Sequence, residues 1–231
     1  MKKTIMIKTL SINIIFTLLF LFNSPVYAKG VAGKVLKSKG NVFAQIEGQE
    51  KRSLKIGKSI YEKDSVSTEK NSNAILLFTD KTRFELGSEA TLVVKQYLYQ
   101  NNPEQDGSSV EVLKGTFRFV SGLIAKEKPE AMEVNTSVAT IGIRGTTVVG
   151  EVNETSAIII LDQPEDSETK TAIEVSNSFG SVTIDEPGFG TEIPDQYSPP
   201  SPPRRMSLQT INNLTRSLQS IQRINTPRPM R

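Results

Sequence analysis

The chain contains no cysteine, no histidine and no tryptophan. Without cysteine there is no disulfide framework, no thiolate nucleophile and no acceptor for a lipoprotein anchor. Without histidine the usual general base at neutral pH and the commonest zinc ligand are both missing. Carboxylates, hydroxyls, Lys, Arg and amides remain for chemistry. Aromatics make up only 6% of the residues. Tyr61, Tyr97, Tyr99 and Phe117 therefore read as strand and core fillers rather than as a sugar-stacking platform.

Long apolar runs are also scarce, and the first has a targeting pattern. Lys2, Lys3 and Lys8 precede an apolar stretch from Ile12 to Phe22 that is broken by Asn13 and Thr17. Val26-Tyr27-Ala28 follows as a small-x-small-like cleavage site, so residues 1–28 read as a signal peptide. The stretch is shorter than the roughly 20 residues a membrane span needs. No second run of spanning length follows, so the expectation is an exported chain, periplasmic or secreted, with no transmembrane span after cleavage. The full chain counts 28 basic and 25 acidic residues. Residues 1–28 hold three Lys and no acid, so the processed chain is electroneutral and gives no ground for a nucleic-acid partner. Its charges are segregated: residues 204–231 carry six Arg and no acid, leaving an acidic body.

The body reads as many short strands. Thr82-Arg83-Phe84-Glu85-Leu86 alternates between polar and apolar, and Asp80-Lys81 before it reads as a turn. Asn73 to Phe78 is continuous and apolar enough for a buried strand, and Ala157 to Leu161 continues the strand pattern. Val110 to Val120 reads as two strands about Lys114-Gly115. Turn residues recur every 8–12 positions, which predicts an all-β sandwich or roll of mainly antiparallel strands and no helix before residue 205. The expected organisation is a body over 29–196, a proline-rich linker over 197–206 and an amphipathic helix over 207–225. Ser207 can cap that helix, and Ile211, Leu214, Leu218 and Ile221 form its stripe until Pro227. A linker followed by a lone helix supplies no backbone pairing to a sheet, so a body ending at Gln196 is expected to fold without the tail.

The most specific run is Thr136-Ser137-Val138-Ala139-Thr140-Ile141-Gly142-Ile143-Arg144-Gly145-Thr146-Thr147-Val148-Val149. It reads as strand, tight kink, strand, with Gly142 and Gly145 allowing φ > 0 or a close approach. Its one charge, Arg144, is costly to bury unless carboxylates or carbonyls meet its donors. The run resembles the signature near the end of a FecR domain, where Thr-Pro leads to Arg-Gly-Thr and a hydrophobic strand. Ser137 stands where that family commonly has Pro. Ile56-Gly57 with Ile60, Asp64, Val66 and Thr68, then Ala74 to Thr82, then Leu113 to Arg118 resemble the family's earlier segments in order. The resemblance covers about residues 32–185 and implies an envelope module that senses or scaffolds by protein contact. In the family's regulators this domain relays a receptor signal to a cytoplasmic sigma-factor-binding segment. No such segment is read ahead of the signal peptide, so direct sigma regulation is not expected.

These features set the expected sites. Gly142, Arg144, Gly145 and Thr146 are the family signature, with Arg144 expected as a buried structural clamp. Arg204, Arg205, Arg216 and Arg223 are candidate partner contacts on the basic tail. Asp162, Glu165, Asp166 and Glu168 form the densest acidic cluster, but their spacing matches no calcium loop, so a solvated loop is expected there. No catalytic residue, cofactor or metal is assigned. The expected function is non-enzymatic signalling or scaffolding through an envelope protein. The alternative is carbohydrate or peptidoglycan binding on a strand face, with a glycan as partner. A carboxylate-dependent hydrolase stands third.

Overall fold

The computed structural model describes residues 30–163 and 171–219; the expectations placed on residues 1–29, on Glu165, Asp166 and Glu168, and on Ile221, Arg223 and Pro227 lie outside them. The described chain is mostly strand and forms two sheets, as the alternating segments predict. The first sheet runs β4 (Ser59–Tyr61), β1 (Val31–Lys39), β6 (Asn73–Phe78), β7 (Arg83–Leu86), the second half of β9 (Gly107–Val120), β12 (Thr147–Val152), β13 (Ala157–Asp162), β16 (Phe189–Ile193) and β17 (Arg204–Arg205). The second runs β3 (Arg52–Ser53), β2 (Val42–Gln45), β5 (Ser65–Thr68), β8 (Thr91–Leu98), the first half of β9, β10 (Met132–Thr136), β11 (Thr140–Arg144), β14 (Ala172–Asn177) and β15 (Gly180–Ile184). Neighbours are antiparallel throughout except for β9 and β10, which run parallel. The inner faces meet in one cluster, with Leu76, Phe84, Phe117 and Phe119 from the first sheet and Val66, Leu92, Val110 and Ile141 from the second.

β9 is one strand of 14 residues and not the two expected, and it serves both sheets. The break at Lys114-Gly115 is a bulge: Thr91 pairs with Lys114 but Leu92 with Val112. An extra residue reverses which parity faces inward. Ser108, Val110 and Val112 point in before it, Phe117 and Phe119 after it. Gly115 sits at φ +94°, and a side chain there would strike Ala90 at 2.5 Å.

A short helix, α1 (Leu123–Glu127), precedes residue 205 after all, followed by a 3₁₀ turn at Pro129–Ala131. At five residues it is too short to show a helical period in sequence. Tertiary contacts hold it. Ile124 and Ala125 are buried, and the Leu123 N–H donates to the Asp80 carbonyl at 2.8 Å.

The expected free spacer is instead laid on the body. The Ser201 N–H donates to the Glu192 carbonyl at 3.0 Å, and the Glu192 N–H returns to Ser201 Oγ at 2.9 Å. Arg204 and Arg205 then pair with Gly190 and Phe189. Prolines cannot donate, but they hold the chain extended, so the intervening residues meet β16 in register. Beyond them lies α2 (Leu208–Gln219), capped as expected by Ser207, whose Oγ accepts the Thr210 N–H at 3.0 Å. Met206, Leu214 and Leu218 are buried against Val149 and Ile160, which point out of the first sheet's far side. The Asn73 side chain donates to the Ser217 carbonyl at 2.7 Å, fixing the helix's last turn. A fully buried side chain of this size contributes roughly 1.5–3 kcal/mol, so this second core is a substantial part of the fold.

Candidate functional site: the Ile-Arg-Gly-Thr corner and its surface

The signature run is the corner where the chain passes from the second sheet to the first. β10 and β11 form a hairpin whose turn is organised by Thr136. Its Oγ accepts the Ala139 N–H at 2.9 Å and donates to the Ala139 carbonyl at 2.9 Å. Ser137 Oγ donates to the Asn153 carbonyl at 2.9 Å, tying this turn to the one between β12 and β13. A proline could not make that bond, so the departure from the family pattern has a local use. β11 then ends at Arg144, Gly145 turns at φ +58°, and β12 begins at Thr147. Thr146 and Thr147 are buried, and the Ser121 N–H donates to the Thr146 carbonyl at 3.1 Å. The Oγ atoms of both threonines have no hydrogen-bond partner among the described residues.

Arg144 is not the buried clamp expected. It is exposed and makes no ion pair or hydrogen bond among the described residues. The strand period explains this: Ile141 and Ile143 take the inward positions, so residues 140, 142 and 144 face out. Gly142 is likewise not forced by backbone geometry. Its φ is not positive, and a side chain there would first meet Glu174 at 3.8 Å. It leaves a notch flanked across the sheet by Glu133 on β10 and Glu174 on β14. The groove here encloses about 370 Å³ and is lined by Pro129, Glu130, Gly142, Ile143, Arg144 and Glu174. Opposite charges line it without neutralising Arg144, and the outer face beyond is hydrophilic. Thr140 donates to Asn135 Oδ1 at 2.7 Å and Lys95 pairs with Glu111 at 2.7 Å.

The other charged groups serve the scaffold. Asp80 is a turn residue as expected, but a fully buried one. Its carboxylate accepts the Thr82 N–H at 3.0 Å, the Thr82 hydroxyl at 2.7 Å, the Tyr97 hydroxyl at 3.0 Å and the Ile124 N–H at 3.4 Å. This joins the β6–β7 hairpin to β8 and α1. Burial first, then the charge of Asp80, pushes the Tyr97 phenol well above its ordinary range. Asp64, also buried, accepts from the Arg52 guanidinium and, at 2.7 Å, from the Tyr61 N–H. Asp162, expected in a solvated loop, pairs with Arg118 at 3.3 Å; Arg118 also approaches Glu85 at 3.6 Å. Groups of three or more acidic residues able to hold a metal ion are not found among the described residues.

The expected contacts on the tail divide. Arg204 is exposed but paired with Glu192 at 2.6 Å, and the Arg205 guanidinium lies 5.6 Å from the centre of the Phe189 ring. Arg216 is exposed on the outer side of α2. Of the aromatics considered for a sugar platform, Tyr97 and Phe117 are buried in the core, Tyr99 packs partly against it and Tyr61 lies under Arg52. Sequence reading missed Phe179 and Tyr197, which are 52% and 71% exposed. Their one signal was position, Phe179 next to Gly180 and Tyr197 two residues before Pro199.

With this geometry in place, the family is shown: the FecR protein family model matches residues 64–181, just over half of the chain, and the protein belongs to that family. Membership supports a signalling-related role. No curated protein matches the chain. Two crystal structures of a candidate anti-sigma factor from Parabacteroides distasonis ATCC 8503, at 2.50 Å and 1.65 Å, are similar at 12% identity, with TM-scores of 0.49 and 0.48. Each similarity covers 64% of this chain and 62% of the other, less than two thirds of either.

Proposed function

We propose that the protein is a non-enzymatic, exported FecR-type module that acts in envelope signalling or scaffolding by holding a partner protein on the outer face of its second sheet. The observation that carries this is Arg144. The single charge in the family signature is exposed beside a groove and has no internal pair among the described residues, which offers its guanidinium donors to another chain. Arg suits such contacts because its planar fork meets carboxylates or carbonyls bidentately. Export rests on the signal-peptide pattern of residues 1–28, and a periplasmic or secreted location follows from it. The body then spans 29–196, with 197–206 and 207–225 as tail. The carbohydrate-binding alternative is less supported, because Tyr97 and Phe117 are buried and offer no ring to a sugar.

A photo-crosslinking residue at Thr140 tests the reading. Irradiation in the envelope should yield one defined protein adduct. Arg144→Glu should abolish the adduct without moving the unfolding midpoint. Adduct formation indifferent to Arg144→Glu, or retention of the protein on peptidoglycan with no protein adduct, would overturn it.

A further inference from the structure

Sheet edges in this fold are guarded unequally. β3 has two residues and β4 three, and β17 is two arginines led in by prolines. Brevity, charge and proline are the usual protections against edge pairing. β15 has none of them. It is five residues long, Gly180-Ser181-Val182-Thr183-Ile184, without charge or proline. It pairs on one side with β14, and no backbone hydrogen bond among the described residues reaches its other side. Alternate N–H and C=O groups of an antiparallel edge strand point outward, ready for another strand. Pro199 lies beside its first residue, Gly180, and β16 passes near the strand without pairing with it.

We infer that β15 is a self-association edge, pairing antiparallel with β15 of a second copy about a two-fold axis through Val182. The occupant is argued from the strand's own sequence. Under that axis Val182 meets Val182, and Ser181 meets Thr183 of the other copy on the exposed face. Hydroxyl pairs and a β-branched pair are favourable cross-strand neighbours, and no like charges meet. Asp185, just past the strand, falls opposite Phe179 of the other copy. Phe179 and Tyr197 belong to two turns joined here, where the Asn177 side chain donates to the Ser198 carbonyl at 2.9 Å. Phe179, exposed immediately before the strand, adds apolar area to an otherwise polar contact. The contact is isologous and closed, so it stops at a dimer. It uses the sheet's edge and not the groove beside Arg144, so its failure would leave that reading untouched.

Sedimentation velocity of the full chain tests it. The expected result is a concentration-dependent dimer. Ser181→Lys with Thr183→Lys sets Lys opposite Lys at both symmetric positions and should weaken the dimer about tenfold or more. Ser181→Glu with Thr183→Lys sets Glu opposite Lys in the same register and should restore it. Both positions are exposed, so the unfolding midpoint should hold in each variant. The chain has no cysteine, so Val182→Cys alone should give a disulfide-linked dimer on mild oxidation. A monomer at all concentrations, a dimer indifferent to the charge variants, or absence of the Val182→Cys crosslink would each overturn the proposal.

Discussion

The two sheets share one core but treat their outer faces differently. The first sheet turns Val149 and Ile160 outward, and the chain's own tail covers them with Met206, Leu214 and Leu218. The second turns out Glu133, Thr140, Arg144, Glu174 and Thr183, and no segment of the described chain lies over them. An antiparallel sheet with one wet face needs polar outward residues, whereas a strand covered on both sides reads as continuously apolar. The contrast separates a face that stabilises from a face free to bind.

The largest expected effect comes from uncovering the first face. Ending the chain at Gln196 removes β17, Met206 and α2 and bares Val149 and Ile160 beside the unpaired β16 edge. The shortened protein should aggregate or lose many degrees of thermal stability by differential scanning fluorimetry. This reverses the expectation of an independent body. A soluble, cooperatively folded product with an unchanged midpoint would show the cover to be dispensable. A milder break is Leu214→Ala. It leaves a cavity under α2 and should cost about 2–5 kcal/mol in denaturant titration.

The buried Tyr97–Asp80 bond ties the core to α1 and gives a pH signature. A phenol whose ionisation is raised in the folded state keeps its proton when the unfolded chain has lost it. Its stabilisation is therefore full below about pH 10 and declines as pH rises above that value. Tyr97→Phe should cost roughly 1 kcal/mol at neutral pH, through the lost hydrogen bonds. It should also flatten the decline in unfolding midpoint above pH 10. An equally steep decline in the variant would assign it to other groups.

The smallest effect belongs to the bare face. Arg144→Ala should change stability by no more than about 0.5 kcal/mol, as for an exposed residue with no partner among the described residues. A buried clamp would cost several times more, so equilibrium unfolding distinguishes the two roles. A loss near 3 kcal/mol would restore the clamp and undo the contrast between the faces.

Much of the fold was legible in local pattern. Asn73 to Phe78 declared a buried strand, Thr82 to Leu86 alternated as β7 does, Ser207 marked a helix start, and the Lys114-Gly115 break fell where β9 bends. Strand period and turn chemistry are properties of neighbouring residues, so a sequence carries them openly. The corner at Gly145 was legible for the same reason, and the signature around it marked the family. Which side of each strand meets water depends on what else the chain brings there. Only the tertiary structure decided that Arg144 points out, that Asp80 is buried under α1, and that the proline segment joins a sheet. Each of these turns on contacts between residues far apart in sequence, such as Asn73 with Ser217, and local chemistry does not encode which distant surfaces will meet.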